Sequence, residues 1–191
     1  MSAIQFLQQF VRRPGSIGAV SPSSRALAEL LVDEAAIRNA SFVIEFGPGT
    51  GAITEAITEE LSYSAELLAI EKNPIFCTIL RERFPQLTIV EDSAVNAGVH
   101  LRQAGMEECD AVICGLPLAS FDDRLQDEIV GTAYRVLRKG GKFVAFSYIH
   151  SPFLPQGAKI RETLLKRFGR VEKSRMVWNN LPPAFAYTAH R

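Results

Sequence analysis

SFVIEFGPGTG, residues 41–51, decides the fold. A short apolar run stops at three glycines in G-x-G-x-G spacing. It then opens onto a segment in which Ile53, Ile57 and Leu61 recur four residues apart. SFVIEFG reads as a buried parallel strand and Thr50 to Leu61 as the helix that follows it. Gly47, Gly49 and Gly51 let the backbone turn sharply and approach a ligand, because no Cβ intervenes. The later glycine of the dinucleotide fingerprint is missing, and no GxxxxGK[ST] occurs, so a phosphate-cradling loop is excluded.

Outward from this stretch the same rhythm repeats. ELLAIE (66–71) is a second strand, followed by a helix that Asn73 caps and Pro74 opens, running to about Arg83. LTIVED (87–92) and CDAVICG (109–115) are the third and fourth strands. Asp122 to Leu137 is a long helix, RKGG (138–141) its stop and turn, and KFVAFSY (142–148) the fifth strand. VEKSRMVWN (171–179) and AFAYTAH (184–190) alternate, so an antiparallel hairpin closes the sheet, with Trp178 packed inside it. The fold predicted is α/β, a mostly parallel seven-stranded sheet with helices on both faces.

Residues 1–40 form an N-terminal helical segment packed on the core domain of 41–191. Ile4, Phe6, Leu7, Phe10 and Val11 give residues 2–13 an apolar stripe that ends at Arg12 and Arg13. The stripe fits packing across the sheet and an interfacial membrane helix equally. Pro22 opens a second helix with Leu27, Leu30, Leu31 and Ala35 inward. At 47% hydrophobic and 22% charged, the 191 residues fit a globular protein, and no apolar run is long enough to span a bilayer. The first residues lack a signal-peptide pattern, and three cysteines without paired spacing support neither disulfides nor a metal site, so a reducing cytoplasm is expected. The zero net charge hides a split. Residues 1–136 carry ten basic and nineteen acidic side chains, residues 137–191 eleven and two. The basic end reads as a solvated face or as a face for an anionic partner.

Three strand tips carry the candidate chemistry. Glu45 precedes the glycine loop, Glu71 ends the second strand where a carboxylate can accept from ribose hydroxyls, and Asp92 with Ser93 ends the third. VIEFGPGTG, AIEKN, EDSA, CGLPL and LRKGGKFV together resemble the class I S-adenosylmethionine-dependent methyltransferases, whose fold is Rossmann-like. The resemblance implies S-adenosyl-L-methionine as cofactor. It also implies a contact set of Glu45, Gly47, Gly49, Gly51, Glu71, Lys72, Asp92, Ser93, Gly115 and Leu116, with Glu71 on the ribose and Asp92 facing the adenine.

Adenine-N6 methyltransferases, the ribosomal RNA dimethylases included, carry N-L-P-[YF] at the fourth strand tip, where this chain has Gly115-Leu116-Pro117-Leu118. Glycine offers no side-chain acceptor and leucine no ring to stack on a flipped base. FVRRPGSIGAVSPSSRALA, CGLPL, FSYIHSP and NNLPPAF instead resemble the bacterial phospholipid N-methyltransferases. That resemblance implies methylation of the phosphatidylethanolamine amine, with ornithine-lipid or RNA methylation as alternatives. It further implies a cytoplasmic monomer held peripherally at the inner face of the cell membrane, with a phospholipid substrate, an anionic membrane surface as partner and no nucleic acid. Ile149 and His150 depart from the smaller or more basic residues expected there. Tyr148 is the candidate to contact the substrate. His150 fits a proton acceptor, a phosphate ligand or a plain loop residue.

Overall fold

Continuous apolar runs can be strands only if both faces of their sheet are covered, and that need organises the computed structural model, which describes residues 23–191. In chain order its elements are α1 (Arg25–Ala35), β1 (Phe42–Phe46), α2 (Ala52–Glu60), β2 (Glu66–Glu71), α3 (Pro74–Arg83), β3 (Thr88–Glu91) and α4 (Ala97–Gln103). They continue with β4 (Cys109–Cys114), α5 (Asp123–Val136), β5 (Leu137–Tyr148), α6 (Pro155–Phe168), β6 (Arg170–Lys173) and β7 (Ala184–His190). The strands form one sheet in the order β3-β2-β1-β4-β5-β7-β6, parallel except for β7, which runs antiparallel to both its neighbours. Every residue of β1 is buried. The order reverses between β2 and β4 on either side of β1, which opens a crevice at the carboxyl ends of the strands.

Two apolar layers hold the sheet. On one face Leu27 and Leu31 of α1 pack with Ile53 and Ile57 of α2 over Val43, Ile113, Val144 and Ala186. On the other, Ala97 and Leu101 of α4, Ile129 and Ala133 of α5, and Ile160 and Leu164 of α6 cover Ile44, Val112, Phe143 and Phe185. Helix starts follow local chemistry. The Ser24 hydroxyl accepts from Leu27 N–H, Asn73 Oδ1 from Ile75 N–H and Asp122 Oδ1 from Leu125 N–H.

Several expectations need correction. The turn expected at residues 138–141 is absorbed into β5 as a bulge. Leu137 pairs with Cys109 and the next pair is Lys142 with Ala111. The chain terminus makes this possible, because Arg191 accepts from Gly140 N–H and donates to Gly141 C=O. Helix α4 went unassigned in the sequence, since its seven residues, AGVHLRQ, bury only Ala97 and Leu101. The first hairpin strand stops at Lys173, well short of residue 179, and a single Val177–Ala184 bridge replaces its second half. Trp178 is not packed inside that hairpin; it is 68% exposed. Pro22, the expected interfacial helix 2–13 and most of the GAVSPSS segment lie outside the described residues.

Because α1 supplies Leu31 to the same layer as α2, it belongs to the domain's core. Leu31→Ala should cost about 2–5 kcal/mol, read as a lowered urea midpoint with one cooperative transition. A change within error would place α1 outside that cooperative unit.

Candidate functional site

The glycine loop leaves β1 and enters α2 with Gly47, Gly49 and Gly51 all in the left-handed region, at φ of +69°, +58° and +89°. Side chains rarely adopt that region, and at Gly47 a Cβ would also run into Leu116. At Gly49 a Cβ would meet nothing within 4 Å, so this part of the loop faces open space. Glu71, at the tip of β2, anchors the loop. One carboxylate oxygen accepts from Gly49 N–H at 3.0 Å and the other from Asn73 N–H at 2.8 Å. Each oxygen has a second lone pair, so hydroxyl donors can still be accepted.

The structure sorts the other candidates. Glu45 lies wholly inside, below the loop. Its Oε2 accepts from Thr54 Oγ1 at 2.7 Å, while Oε1 has no partner among the described residues. Burial pushes its carboxyl up to about 8 despite the Thr54 hydrogen bond. Asp92 follows β3 with its oxygens engaged by His100 Nε2 at 2.7 Å, Ser93 N–H at 2.6 Å and Asn96 Nδ2 at 3.0 Å. The His100 hydrogen bond first, then those from Ser93 and Asn96, hold it below the usual carboxylate range. Lys72 is exposed and makes no ion pair among the described residues, so nothing holds it on the loop. At Gly115 a Cβ would stand 2.6 Å from Gly47 O, and this close backbone approach, absent from the sequence reading, explains the glycine there.

Across β4 and β5 lies a second hollow, a cavity of about 160 Å³ bordered by Pro117, Ser120, Tyr148, His150, Leu154 and Pro182, among others. Among the described residues no Asp, Glu, Lys or Arg lines it. Tyr148 meets Phe146 edge-on and stacks on His150, with centroids 5.6 Å apart and planes at 8°. Burial raises the Tyr148 phenol above its usual range. His150 is exposed. Gln126 of α5, also missed in the sequence, fixes one wall, since its Nε2 donates to Leu118 O, Phe121 O and Gln156 O. A lone glutamine near the start of an otherwise apolar helix face was the available signal. Thr54, polar on the inner face of α2, was another.

A donor with hydroxyls, an exocyclic amine and a charged amino-acid tail fits these groups. Glu71 and Asp92 offer carboxylate acceptors, the loop turns its open side at Gly49 outward, and Glu45, protonated up to about 8, keeps one carboxyl oxygen without a partner among the described residues beneath it. Known proteins agree. Residues 43–141 match a family described as a methyltransferase domain. The chain is 31% identical over 185 residues to the ornithine lipid N-methyltransferase of Singulisphaera acidiphila, covering 95% of this chain and 92% of that one. It is 28% identical over 105 residues to ribosomal RNA small subunit methyltransferase A of Chlorobaculum tepidum, spanning 55% of this chain but 37% of that protein. In fold it is similar to an O-methyltransferase from Bacillus cereus solved in complex with SAH, at a TM-score of 0.72 and 15% identity over 98% of this chain and 90% of the other.

Glu45 gives the site a pH signature. Below the ordinary glutamate range both folded and unfolded chains hold its proton. From there to about 8 only the folded chain does, so folding stability falls as pH rises through this window and levels off above it. Glu45→Gln should therefore raise the urea midpoint more at pH 8 than at pH 5. An equal change at both pH values would show that the buried carboxyl is not the source.

Proposed function

We propose, for a chain that belongs to the methyltransferase-domain family and takes S-adenosyl-L-methionine as its methyl donor, N-methylation of the primary amine of a membrane aminolipid. The observation that carries this reading is the cavity at the tips of β4 and β5, which no Asp, Glu, Lys or Arg lines among the described residues. An amine entering it loses much of its water and meets no carboxylate to hold it as an ammonium ion. Desolvation lowers an ammonium pKa, so the free amine becomes accessible near neutral pH.

When bound, S-adenosyl-L-methionine supplies a methyl group on a positively charged sulfur, open to displacement by a nitrogen lone pair. The chain's own residues do the rest. Glu71, Asp92 and the loop at Gly47, Gly49 and Gly51 hold the donor, with Glu45 buttressing the loop from below and Ser93, Gly115 and Leu116 bordering it. Lys72 lies outside this set. Tyr148 contacts the acceptor by ring face and hydroxyl, and a ring face attracts a methylated ammonium by roughly 0.5–2 kcal/mol. His150, stacked on Tyr148 and open to water, takes the amine's proton and passes it to solvent.

Base methylation fits less well. Leu118 stands where base methylases carry a stacking ring, and here it is buried in the core. Gly115 has neither an acceptor nor room for one. Similarity along nearly the whole chain to an ornithine lipid enzyme supports ornithine lipid as the first headgroup to test, with phosphatidylethanolamine second. The enzyme works as a monomer on the cytoplasmic side of the membrane, held peripherally. Among the described residues no helix is long and apolar enough to cross a bilayer.

Radiolabelled donor offered together with ornithine lipid, phosphatidylethanolamine and ribosomal RNA should label lipid. Label confined to RNA would overturn the assignment. Glu71→Ala should raise the donor KM at least about tenfold, the loss of hydrogen bonds to a charged group. Tyr148→Ala should act mainly on the lipid KM and on kcat.

A further inference from the structure

The large apolar side chains most exposed near the acceptor cavity are not scattered. Phe153 is 87% exposed, Leu181 79% and Trp178 68%, and Leu154 is exposed beside them. They sit on two loops at one end of the sheet. The first follows β5 and carries Phe153 and Leu154. The second links β6 to β7 and carries Trp178 and Leu181. Leu154 and Pro182 border the acceptor cavity from opposite loops, and the Ile149 N–H bonds to Pro183 O, which ties the loops together. Phe153 and Leu181 are thus chain neighbours of the cavity-lining Leu154 and Pro182, and Trp178 shares the loop of Leu181.

The charge carried by these two loops is one-sided. Residues 148–160 and 173–184 contain no Asp or Glu, while His150, Lys159, Lys173 and Arg175 fall within them. Lys159 is paired with Asp123, and Lys173 lies over the Phe185 ring with its Nζ 4.0 Å from the centroid. Arg175 makes no ion pair among the described residues and is exposed. Protruding apolar tips, an indole among them, on loops that carry cations and no carboxylates of their own, suit the water–lipid boundary. There the tips reach the acyl region while the cations stay among anionic headgroups.

Resting on the aminolipid reading above, we infer that the Phe153–Leu154 and Trp178–Leu181 loops form a docking rim that inserts into the interface of an anionic lipid bilayer and sets the acceptor cavity against it. An amine on a lipid then enters without its acyl chains leaving the membrane. Pro182 and Leu154, shared by rim and cavity wall, make insertion and substrate entry parts of one surface.

The chain has a single tryptophan, so Trp178 reports on the rim directly. The full chain is titrated with vesicles of phosphatidylglycerol and phosphatidylcholine, which carry no primary amine and cannot be substrates. Expected are a blue shift of emission, quenching by brominated acyl chains, and loss of both as phosphatidylglycerol is replaced by phosphatidylcholine. A Phe153→Ser/Leu181→Ser variant should partition about tenfold or more weakly per side chain removed. It should lose methylation of vesicle lipid while keeping methylation of the same lipid in detergent micelles.

Unchanged emission with anionic vesicles overturns the rim, and so does unaltered partitioning of the double variant. Emission already blue-shifted and shielded from acrylamide without vesicles also overturns it, since the face is then covered by protein, whether a second copy or this chain's first 22 residues. Because these vesicles hold no acceptor, docking is read apart from turnover: docking here, with no methylation of ornithine lipid or phosphatidylethanolamine when either is offered, would sink the aminolipid assignment and leave the rim standing.

Discussion

The Glu71 carboxylate joins two turns, alongside the Gly47 N–H bond to Ile70 O and the Arg83 bond to Thr50 O. By accepting from Gly49 N–H and Asn73 N–H it fastens the glycine loop after β1 to the start of α3 after β2. Three left-handed glycines make that loop conformationally free, and ordering it costs roughly 1–2 kcal/mol per residue. Hydrogen bonds to a charged acceptor contribute about 1.5–3 kcal/mol each, enough to offset that cost for part of the loop. The approach of Gly115 to Gly47 O then closes the loop from the β4 side. The donor site is thus shaped by backbone groups, with one carboxylate as their common anchor.

The acceptor side is built on another principle. Among the described residues the segment after β4 has no carboxylate anchor of this kind. It is held by Gln126, reaching from α5 to three carbonyls, and by burial of Leu118. Apolar walls with a few hydroxyls place an amine by exclusion more than by pairing. A fixed carboxylate would hold the ammonium form and oppose methyl transfer. Under the proposed function, a wall without Asp, Glu, Lys or Arg among the described residues and apolar side chains on the adjoining loops suit an amine brought in from a lipid surface.

Local signals carried most of the fold. Apolar runs of five or six residues placed β1, β2 and β4, the apolar spacing from Leu125 to Leu137 placed α5, and the Asn73-Pro74 start placed α3 because capping depends on neighbours two or three positions away. What escaped depended on distant partners. Residues 138–141 read as a turn because nothing local says that Arg191 will supply their hydrogen bonds. Trp178 read as core because indoles are usually buried, and only the brevity of β6 leaves it outside. In the site, the order of Glu45, Glu71 and Asp92 along the strand tips was legible. Their present occupancies were not, since Thr54, Asn73 and His100 come from helix starts and a short helix whose docking angle no periodicity reveals.

The buried polar atoms without partners show where stability gives way to function. Among the described residues they are Glu45 Oε1, Gln126 Oε1 and Ser147 Oγ. One lies beneath the donor loop, one on the glutamine that fixes the acceptor wall, and one on a residue bordering the acceptor cavity. An unsatisfied buried group costs about 1–3 kcal/mol, so a core built only for stability would fill these positions with carbon. The two apolar layers far from the crevice do so, with Val, Ile, Leu and Phe packed on both faces of the sheet. Hydrogen-bonding capacity left unused at the carboxyl ends of the strands, over layers that are mainly hydrocarbon and whose buried Thr132 and Thr188 hydroxyls are bonded, is the arrangement expected of a fold whose lower part supplies stability and whose upper edge takes ligands.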